Sequence, residues 1–242
     1  MTVLLEVCVD TAAGMAAAIA GGAQRIELCS ALGEGGLTPS AGLMALAGAQ
    51  KVPVRAMIRP RSGDFTYDAA EIAVMGEDIR QARDAGLAGV VIGAIGADGD
   101  LDQGVLETLV RMAEGMGVTL HRAVDLLPSP RGAVAVARSF GIDTILTSGG
   151  AIRAVDGLDE IAAMVDLAGR DLTIMPGSGI RAGNVAAVIA ATRVRAVHAS
   201  CSRLGPQEDQ RSVEMGFAPR QQACTDYEAV MRLRAVLDDQ AC

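Results

Sequence analysis

The chain has few aromatic residues and no cluster of basic ones. Tryptophan is absent, only 2% of the residues are aromatic, and the formal net charge is −8 at pH 7. Proteins that bind single-stranded nucleic acid stack bases on aromatic side chains, and most nucleic-acid binders concentrate lysine and arginine on one surface. The composition therefore argues against nucleic acid as a partner.

Lysine is almost missing as well. Lys51 is the only lysine among the 21 basic residues, and it precedes Val52-Pro53-Val54, where a strand is predicted to begin. In a parallel α/β barrel, an aldolase that forms a Schiff base needs its lysine at the opposite, C-terminal end of a strand. The Schiff-base mechanism is therefore excluded.

Features of membrane and secreted proteins are also absent. No apolar run approaches the roughly 20 residues that a membrane-spanning helix needs, and the N-terminus lacks the positive region and cleavage site of a secretory signal. The five cysteines are Cys8, Cys29, Cys201, Cys224 and Cys242. An odd number suits reduced thiols better than a disulfide framework. We expect a soluble, cytoplasmic protein with no membrane partner.

One short phrase occurs twice near the start of the chain. Leu5-Glu6-Val7-Cys8 is echoed by Ile26-Glu27-Leu28-Cys29, and the segment between them is rich in alanine and ends in Gly21-Gly22. This pattern predicts a strand, a helix and a second, parallel strand beside the first. Side chains alternate along a strand, so each glutamate shares a face with its cysteine. If the two strands are in phase, a carboxylate pair lies below a thiol pair.

Apolar runs alternating with helical segments continue along the chain. Eight strands are predicted: Leu4–Asp10, Arg25–Ser30, Val54–Pro60, Gly89–Ile95, Val118–Asp125, Thr144–Gly149, Leu172–Gly177 and Ala196–Ser202. Alternation repeated eight times predicts an α/β fold, a single (β/α)8 TIM barrel. An open doubly wound sheet is the alternative, but Asp10-Thr11-Ala12-Ala13-Gly14 is not the glycine-rich turn that such a sheet favours after its first strand.

After residue 202 the alternation stops. Arg203–Arg220 is polar and is predicted to be a loop, and Asp226–Leu237 is predicted to be a final helix. No linker separates this tail from the rest of the chain. We therefore predict a barrel over residues 1–202 and a C-terminal loop and helix extension, residues 203–242, packed on the same domain.

Polar residues gather where the predicted strands end, which in barrels is the functional rim. Both histidines of the chain are among them. The rim set is Cys8, Cys29, Arg59, Arg61, Asp64, His121, Arg122, Asp125, Ser148, Gly177, Ser178, Gly179, His198 and Ser200, with Glu6 and Glu27 two residues deeper than the first two thiols.

These motifs together resemble the copper homeostasis protein CutC family over residues 1 to about 202. The matching pieces are Glu6-Val7-Cys8, Arg25-Ile26-Glu27-Leu28-Cys29, Glu34-Gly35-Gly36-Leu37-Thr38-Pro39-Ser40, Ile58-Arg59-Pro60-Arg61, Gly63-Asp64-Phe65, His121-Arg122-Ala123, Asp125, Leu146-Thr147-Ser148-Gly149 and Met175-Pro176-Gly177. The resemblance implies a TIM barrel, a cytoplasmic location, a homo-oligomer and a Cu(I) site at Cys8 and Cys29.

The thiols and carboxylates each have two interpretations. Two thiolates suffice to bind Cu(I), but Cys8 and Cys29 also suit a packed core as small apolar side chains. Glu6 and Glu27 require a cation if they are buried, and Arg59, Arg61 and Arg122 are available. They therefore form either a structural ion-pair network or an acid–base pair.

The remaining candidates lie on strands 5, 7 and 8. His121 and Asp125 are predicted on one face of strand 5 as acid–base groups. Barrel closure would bring His198 near strand 1, beside Cys8, as a third metal ligand. The Pro176-Gly177-Ser178-Gly179 turn either binds phosphate or is only a tight turn that needs glycine.

Two functions follow from these residues. In the first, the protein handles copper and binds Cu(I) at Cys8 and Cys29. In the second, it is a barrel enzyme for a small anionic metabolite, including phosphorylated ones. There, His121, Asp125, Glu6 and Glu27 are the acid–base candidates. The anion-binding candidates are Arg59, Arg61, Asp64, Arg122, Ser148, Gly177, Ser178, Gly179, His198 and Ser200.

Overall fold

The computed structural model describes residues 2–240, so Cys242 lies outside the described residues. All eight predicted strands form, and each is shorter than expected at its C-terminal end. They are β1 (Leu4–Val9), β2 (Arg25–Leu28), β3 (Val54–Met57), β4 (Gly89–Ile92), β5 (Gly117–Leu120), β6 (Thr144–Thr147), β7 (Thr173–Pro176) and β8 (Ala196–Ala199). Most of the rim residues therefore belong to the loops that follow the strands, whereas Cys8 and His198 lie within β1 and β8.

Helices cover the outside of the strands. They are α1 (Ala12–Ala20), α2 (Ala41–Gly48), α3 (Ala69–Asp84), α4 (Gln103–Met112), α5 (Gly132–Ser139), α6 (Leu158–Ala168) and α7 (Val185–Thr192). Several begin at a side chain that accepts a hydrogen bond from the first turn, such as Thr11, Ser40 and Asp68. Within residues 2–240, no helix has the length and apolar character required to cross a membrane.

The strands form one parallel sheet that curls into a barrel. Its order is β7-β6-β5-β4-β3-β2-β1-β8, so the first strand pairs with the second and also with the eighth. At the remaining seam, the end of β7 lies against β8: a Cβ atom on Gly177 would be 3.5 Å from His198 Cβ. The predicted (β/α)8 TIM barrel is confirmed.

The register between β1 and β2 differs from the in-phase expectation. Cys8 pairs with Glu27, and Glu6 pairs with Arg25. The expected level pair of carboxylates below a level pair of thiols is therefore wrong. Parallel strands in a barrel are staggered, because closure requires the strands to tilt. The stagger places a thiol level with a carboxylate instead.

A buried arginine lies in the barrel at the end opposite the rim. Arg55 donates hydrogen bonds of 2.7 Å to both Thr119 Oγ1 and Asp143 Oδ1. A Cβ atom on Gly117 would be 2.5 Å from Arg55 Nη2. Arg55 therefore links β3 to β5 and to the start of β6 at this end of the barrel.

The segment after β8 is more structured than predicted. Residues Ser202–Gln207 form β9 and pair antiparallel with β10, Gln221–Thr225, while a short helix, α8 (Gln210–Glu214), lies between them. The prediction of a loop over Arg203–Arg220 is therefore wrong. The predicted final helix forms as α9, Tyr227–Asp239, and buries Val230, Leu233 and Leu237 in the core.

Candidate metal and ligand site

A cavity of about 1000 Å³ opens at the C-terminal end of the barrel. Loops after several different strands contribute to its wall, as the fold predicts for a functional site. Ten of the predicted site residues line it: Cys8, Glu27, Arg59, His121, Arg122, Asp125, Ser178, Gly179, His198 and Ser200.

Arg61 and Asp64 are among the predicted residues that do not line this cavity. Arg61 forms ion pairs with Asp64 and with Glu71, at the start of α3, and its side chain is 39% exposed. The contribution of Arg61 and Asp64 to an anion site stays a prediction, and the structure does not place them with the other candidates. The two arginines of Arg59-Pro60-Arg61 point to different surroundings.

Glu6 lies beneath the cavity and is completely buried. It forms an ion pair with Arg25, and His198 Nδ1 lies 2.8 Å from Glu6 Oε1. Burial alone would raise the pKa of Glu6, but the His198 hydrogen bond and the Arg25 charge outweigh it and lower the pKa to about 2. The partner cation is thus Arg25, and not Arg59, Arg61 or Arg122 as expected.

His198, Cys8 and Glu27 form a compact cluster on the cavity floor. One ligand atom of each lies within 4.8 Å of the others. His198 Nε2 is 3.8 Å from Glu27 Oε2. The prediction that barrel closure brings His198 beside Cys8 is confirmed, although its role as a metal ligand stays a prediction. Cysteine sulfur, imidazole nitrogen and carboxylate oxygen are all common metal ligands.

The charges of this cluster are coupled. Burial raises the pKa of Glu27, and the nearby Glu6 carboxylate raises it further despite the attraction of His198. Burial would lower the pKa of His198, but the negative charge of Glu27 and the hydrogen bond to Glu6 raise it well above its usual value. Glu27 Oε1 has no hydrogen-bond partner within the part of the chain that is described.

Cys29 borders this cluster. Its Sγ lies 3.6 Å from Glu27 Oε2, and the side chain is fully buried against Met57 and Val91. Burial, together with the Glu27 charge, raises the pKa of the Cys29 thiol well above its usual value. Glu27 therefore lies close to both thiols, and Cys29 occupies the apolar side of the group.

His121 lies on the opposite wall, just after β5. Its Nδ1 accepts a 3.1 Å hydrogen bond from the Ala123 N–H, so the proton of the neutral ring is on Nε2. Burial and the nearby Arg59 charge lower the pKa of His121 to about 3. The ring lies against Gly93, where a Cβ atom would be 2.4 Å from His121 Cε1. Gly93 thus makes room for a neutral imidazole.

Asp125 belongs to a hydrogen-bond network and not to strand 5. The strand ends at Leu120, and a 3-10 turn covers Arg122–Leu126. Asp125 accepts a 2.7 Å hydrogen bond from Arg122 and a 2.5 Å bond from Thr147 Oγ1, and the Ser148 hydroxyl lies 2.9 Å away. The expectation that His121 and Asp125 share a strand face is wrong. The occupied oxygens tie the loops after β5 and β6 together.

The turn after β7 is tied to its neighbour in the same way. Ser178 Oγ donates a 2.8 Å hydrogen bond to the Ile152 carbonyl, so this hydroxyl holds the loop after β6. Both Ser178 and Gly179 have positive φ, at 75° and 76°. Ser200 Oγ lies 3.0 Å from Ser202 Oγ at the exposed rim. A phosphate at this turn stays a prediction.

Sequence reasoning did not select Arg25 and Gly93 as site residues. Arg25 is two residues before Glu27, so it shares the interior face of β2, and this spacing is the signal that could have identified it. Gly93 follows the apolar run of β4, which ends at Ile92. Nothing in the sequence connects it with His121, because the contact crosses from one strand to the next.

Comparisons with known proteins agree with this architecture. A sequence profile described as CutC family matches residues 3–203. A CutC family protein from Rhizobium meliloti (strain 1021) is 52% identical over 234 residues, covering 97% of this chain and 96% of that protein. A CutC family protein from Caulobacter vibrioides (strain NA1000 / CB15N) is 51% identical over 240 residues, covering 97% and 98%.

A solved structure agrees as well. CutC from Streptococcus agalactiae, which carries the description copper homeostasis protein, superposes with a TM-score of 0.78 at 28% identity, covering 82% of this chain and 98% of that one. The sequence profile, the two relatives and the shared barrel all lead to one conclusion. The chain belongs to the CutC family.

Proposed function

We propose that this protein serves copper homeostasis by binding Cu(I) on the floor of the barrel mouth. Cys8 and Cys29 supply thiolates, and His198 Nε2 supplies an imidazole nitrogen. Soft thiolates select Cu(I), and imidazole is also a good copper ligand. The description of the Streptococcus agalactiae relative as a copper homeostasis protein supports the same function.

One observation carries the proposal. His198 Nδ1 is held by the buried Glu6 carboxylate at 2.8 Å. The other ring nitrogen, Nε2, lies 3.8 Å from Glu27 Oε2, in the cluster that includes Cys8. Metal-binding histidines commonly use one ring nitrogen for the metal and the other for such a carboxylate, which fixes the ring orientation. Glu6 therefore has the position of an orienting carboxylate.

A competition titration tests the proposal. The reduced protein is titrated with Cu(I) in the presence of a chromogenic Cu(I) chelator, and we expect one ion per chain. Glu6→Gln should weaken binding about 10- to 100-fold, the range found for partners that orient metal ligands. Cys8→Ala should weaken it at least as much, because it removes a ligand.

The control is Cys224→Ala, since Cys224 is exposed on β10. Its affinity for Cu(I) should equal that of the unaltered protein. Unchanged affinity in the double Cys8→Ala/Cys29→Ala variant would exclude the site.

We also propose the cytoplasm as the location. The four cysteines within residues 2–240 are free, which is compatible with a reducing compartment.

The homo-oligomer implied by family membership is supported by exposed apolar side chains near the hairpin of β9 and β10. They include Leu204 and Phe217, at 66% and 81% exposure. Light scattering after size exclusion measures the mass directly, and a monomeric mass would contradict it.

A second candidate function is a barrel enzyme for a small anionic metabolite. The favouring observation is that Glu27 Oε1 and His121 Nε2 both line or border the cavity without a partner in the described chain. A carboxylate and a neutral imidazole N–H are a common pair for proton transfer. Native mass spectrometry of the freshly purified protein tests this, because a co-purified metabolite favours an enzyme and bound copper alone favours the first function.

A further inference from the structure

One wall of the cavity carries a buried positive charge, Arg59, on the loop after β3. Arg59 is only 6% exposed. Its Nη1 donates to the Glu34 and Gly36 carbonyls at 2.8 and 3.2 Å, and its Nη2 donates to the Gly63 carbonyl at 2.8 Å. These acceptors are all neutral, and within residues 2–240 no carboxylate forms an ion pair with this guanidinium. A buried cation of this kind favours an anion beside it.

Two buried N–H donors on this wall lack acceptors. Arg59 Nε and His121 Nε2 have no hydrogen-bond partner among the described residues. His121 is 3% exposed, and its Nε2 carries the proton because Nδ1 already accepts from Ala123. Buried donors are normally paired, so two of them in one cavity wall indicate that an acceptor binds there.

An aromatic ring connects the two donors. The Phe65 ring centre is 4.9 Å from the His121 ring centre, and the Arg59 guanidinium carbon is 4.9 Å from the same Phe65 centre. Arg59, Phe65 and His121 all line the cavity, whose volume of about 1000 Å³ is far larger than one metal ion requires. Pockets of this size hold small organic molecules.

We propose that this wall binds a small organic carboxylate. Its oxygens accept hydrogen bonds from Arg59 Nε and His121 Nε2, and its apolar part packs on Phe65. A planar, singly charged carboxylate matches one guanidinium and one neutral imidazole, whereas a phosphate dianion would call for more positive charge. The proposal goes beyond copper binding, because neither donor belongs to the copper cluster, and the bound molecule need not react.

Calorimetry with simple probes tests the proposal. Copper-free, full-length protein is titrated at pH 7 with sodium butyrate, sodium benzoate and inorganic phosphate at equal ionic strength. We expect saturable binding of butyrate or benzoate and none of phosphate. His121→Phe retains an aromatic ring without the donor, and Arg59→Lys retains the charge without Nε. Each should weaken carboxylate binding about 10-fold or more, as expected for hydrogen bonds to a charged group.

Two variants serve as controls. Arg61→Gln removes the neighbouring arginine, which lies outside the cavity, and Cys8→Ala alters the metal cluster. Both should bind the carboxylate as the unaltered protein does. The His121 Nε2–H proton resonance of the unaltered protein provides a readout that needs no variant, and it should shift on saturation.

Three results would overturn the proposal. One is the absence of saturable binding of either carboxylate together with an unmoved His121 resonance. Another is carboxylate binding that His121→Phe and Arg59→Lys leave unchanged. The third is phosphate binding that these two variants abolish, because the site would then select another class of anion.

Discussion

His198 and His121 line the same cavity, yet their surroundings move their pKa values in opposite directions. His198 lies between two carboxylates, and its pKa is raised. His121 lies between Arg59, Phe65 and Gly93, and its pKa is lowered to about 3. Both rings are buried, so burial does not explain the difference. The neighbouring side chains decide which histidine carries a charge.

The largest expected effect comes from removing the carboxylate beneath His198. Glu6→Ala would leave Arg25 as an unpaired buried charge and His198 without its partner, which should cost about 3–5 kcal/mol of unfolding free energy. Urea denaturation measures the change. Glu77→Ala is the control, because Glu77 pairs with Arg80 on the exposed surface of α3, where a loss below about 1 kcal/mol is expected. Equal losses would show that the Glu6 network adds no stability.

A smaller effect is expected behind His121. In Gly93→Ala, the added Cβ would lie 2.4 Å from His121 Cε1, so the ring or strand must shift. This overpacking should cost about 1–3 kcal/mol. Gly132→Ala is the control, since a Cβ at Gly132 meets nothing within 4 Å. Urea denaturation compares the two, and the His121 ring resonances should move only in Gly93→Ala. Equal stabilities would contradict the close contact.

The smallest effect appears in the pH dependence of stability. His121 has a pKa of about 3 when folded and an ordinary value of 6.5. The contribution of the neutral His121 ring to the free energy of unfolding is therefore complete above pH 6.5. It is lost as the pH falls, because the unfolded chain binds the proton first. Between pH 7.5 and 5.5 the loss should be about 1.4 kcal/mol.

Comparison with His121→Phe isolates this contribution. The variant should lack this part of the pH dependence, while Arg61→Gln retains it. If the free energies of unfolding of the unaltered protein and His121→Phe change in parallel over this pH range, His121 is not held neutral.

The sequence predicts the barrel well because its evidence is periodic. Alternating strands and helices follow from the spacing of apolar residues, and the structure confirms all eight strands. The polar residues from Arg203 to Arg220 have no such spacing, so the hairpin that includes β9 was missed. The six residues of β9 are polar or exposed apart from Gly205. This strand pairs antiparallel with β10.

The site is harder to predict because it depends on register. The sequence places Glu6 with Cys8 and Glu27 with Cys29, but it does not state how far one strand is displaced along the other. That displacement sets Cys8 level with Glu27 and gives Glu6 its partner, Arg25. The prediction for His198 succeeded because closure of the barrel alone brings β8 beside β1.

Buried side chains fill the barrel below the site, among them Arg25, which contacts Met175 Sδ, and Arg55, which donates a hydrogen bond to Thr119. A metal ion that reaches the sulfur atoms of Cys8 and Cys29 must therefore enter and leave through the same opening at the rim. A carboxylate bound against Phe65 would narrow this opening, and the release of a metal ion from the cavity floor would become slower. The metal ion would then be released more readily after the carboxylate has left.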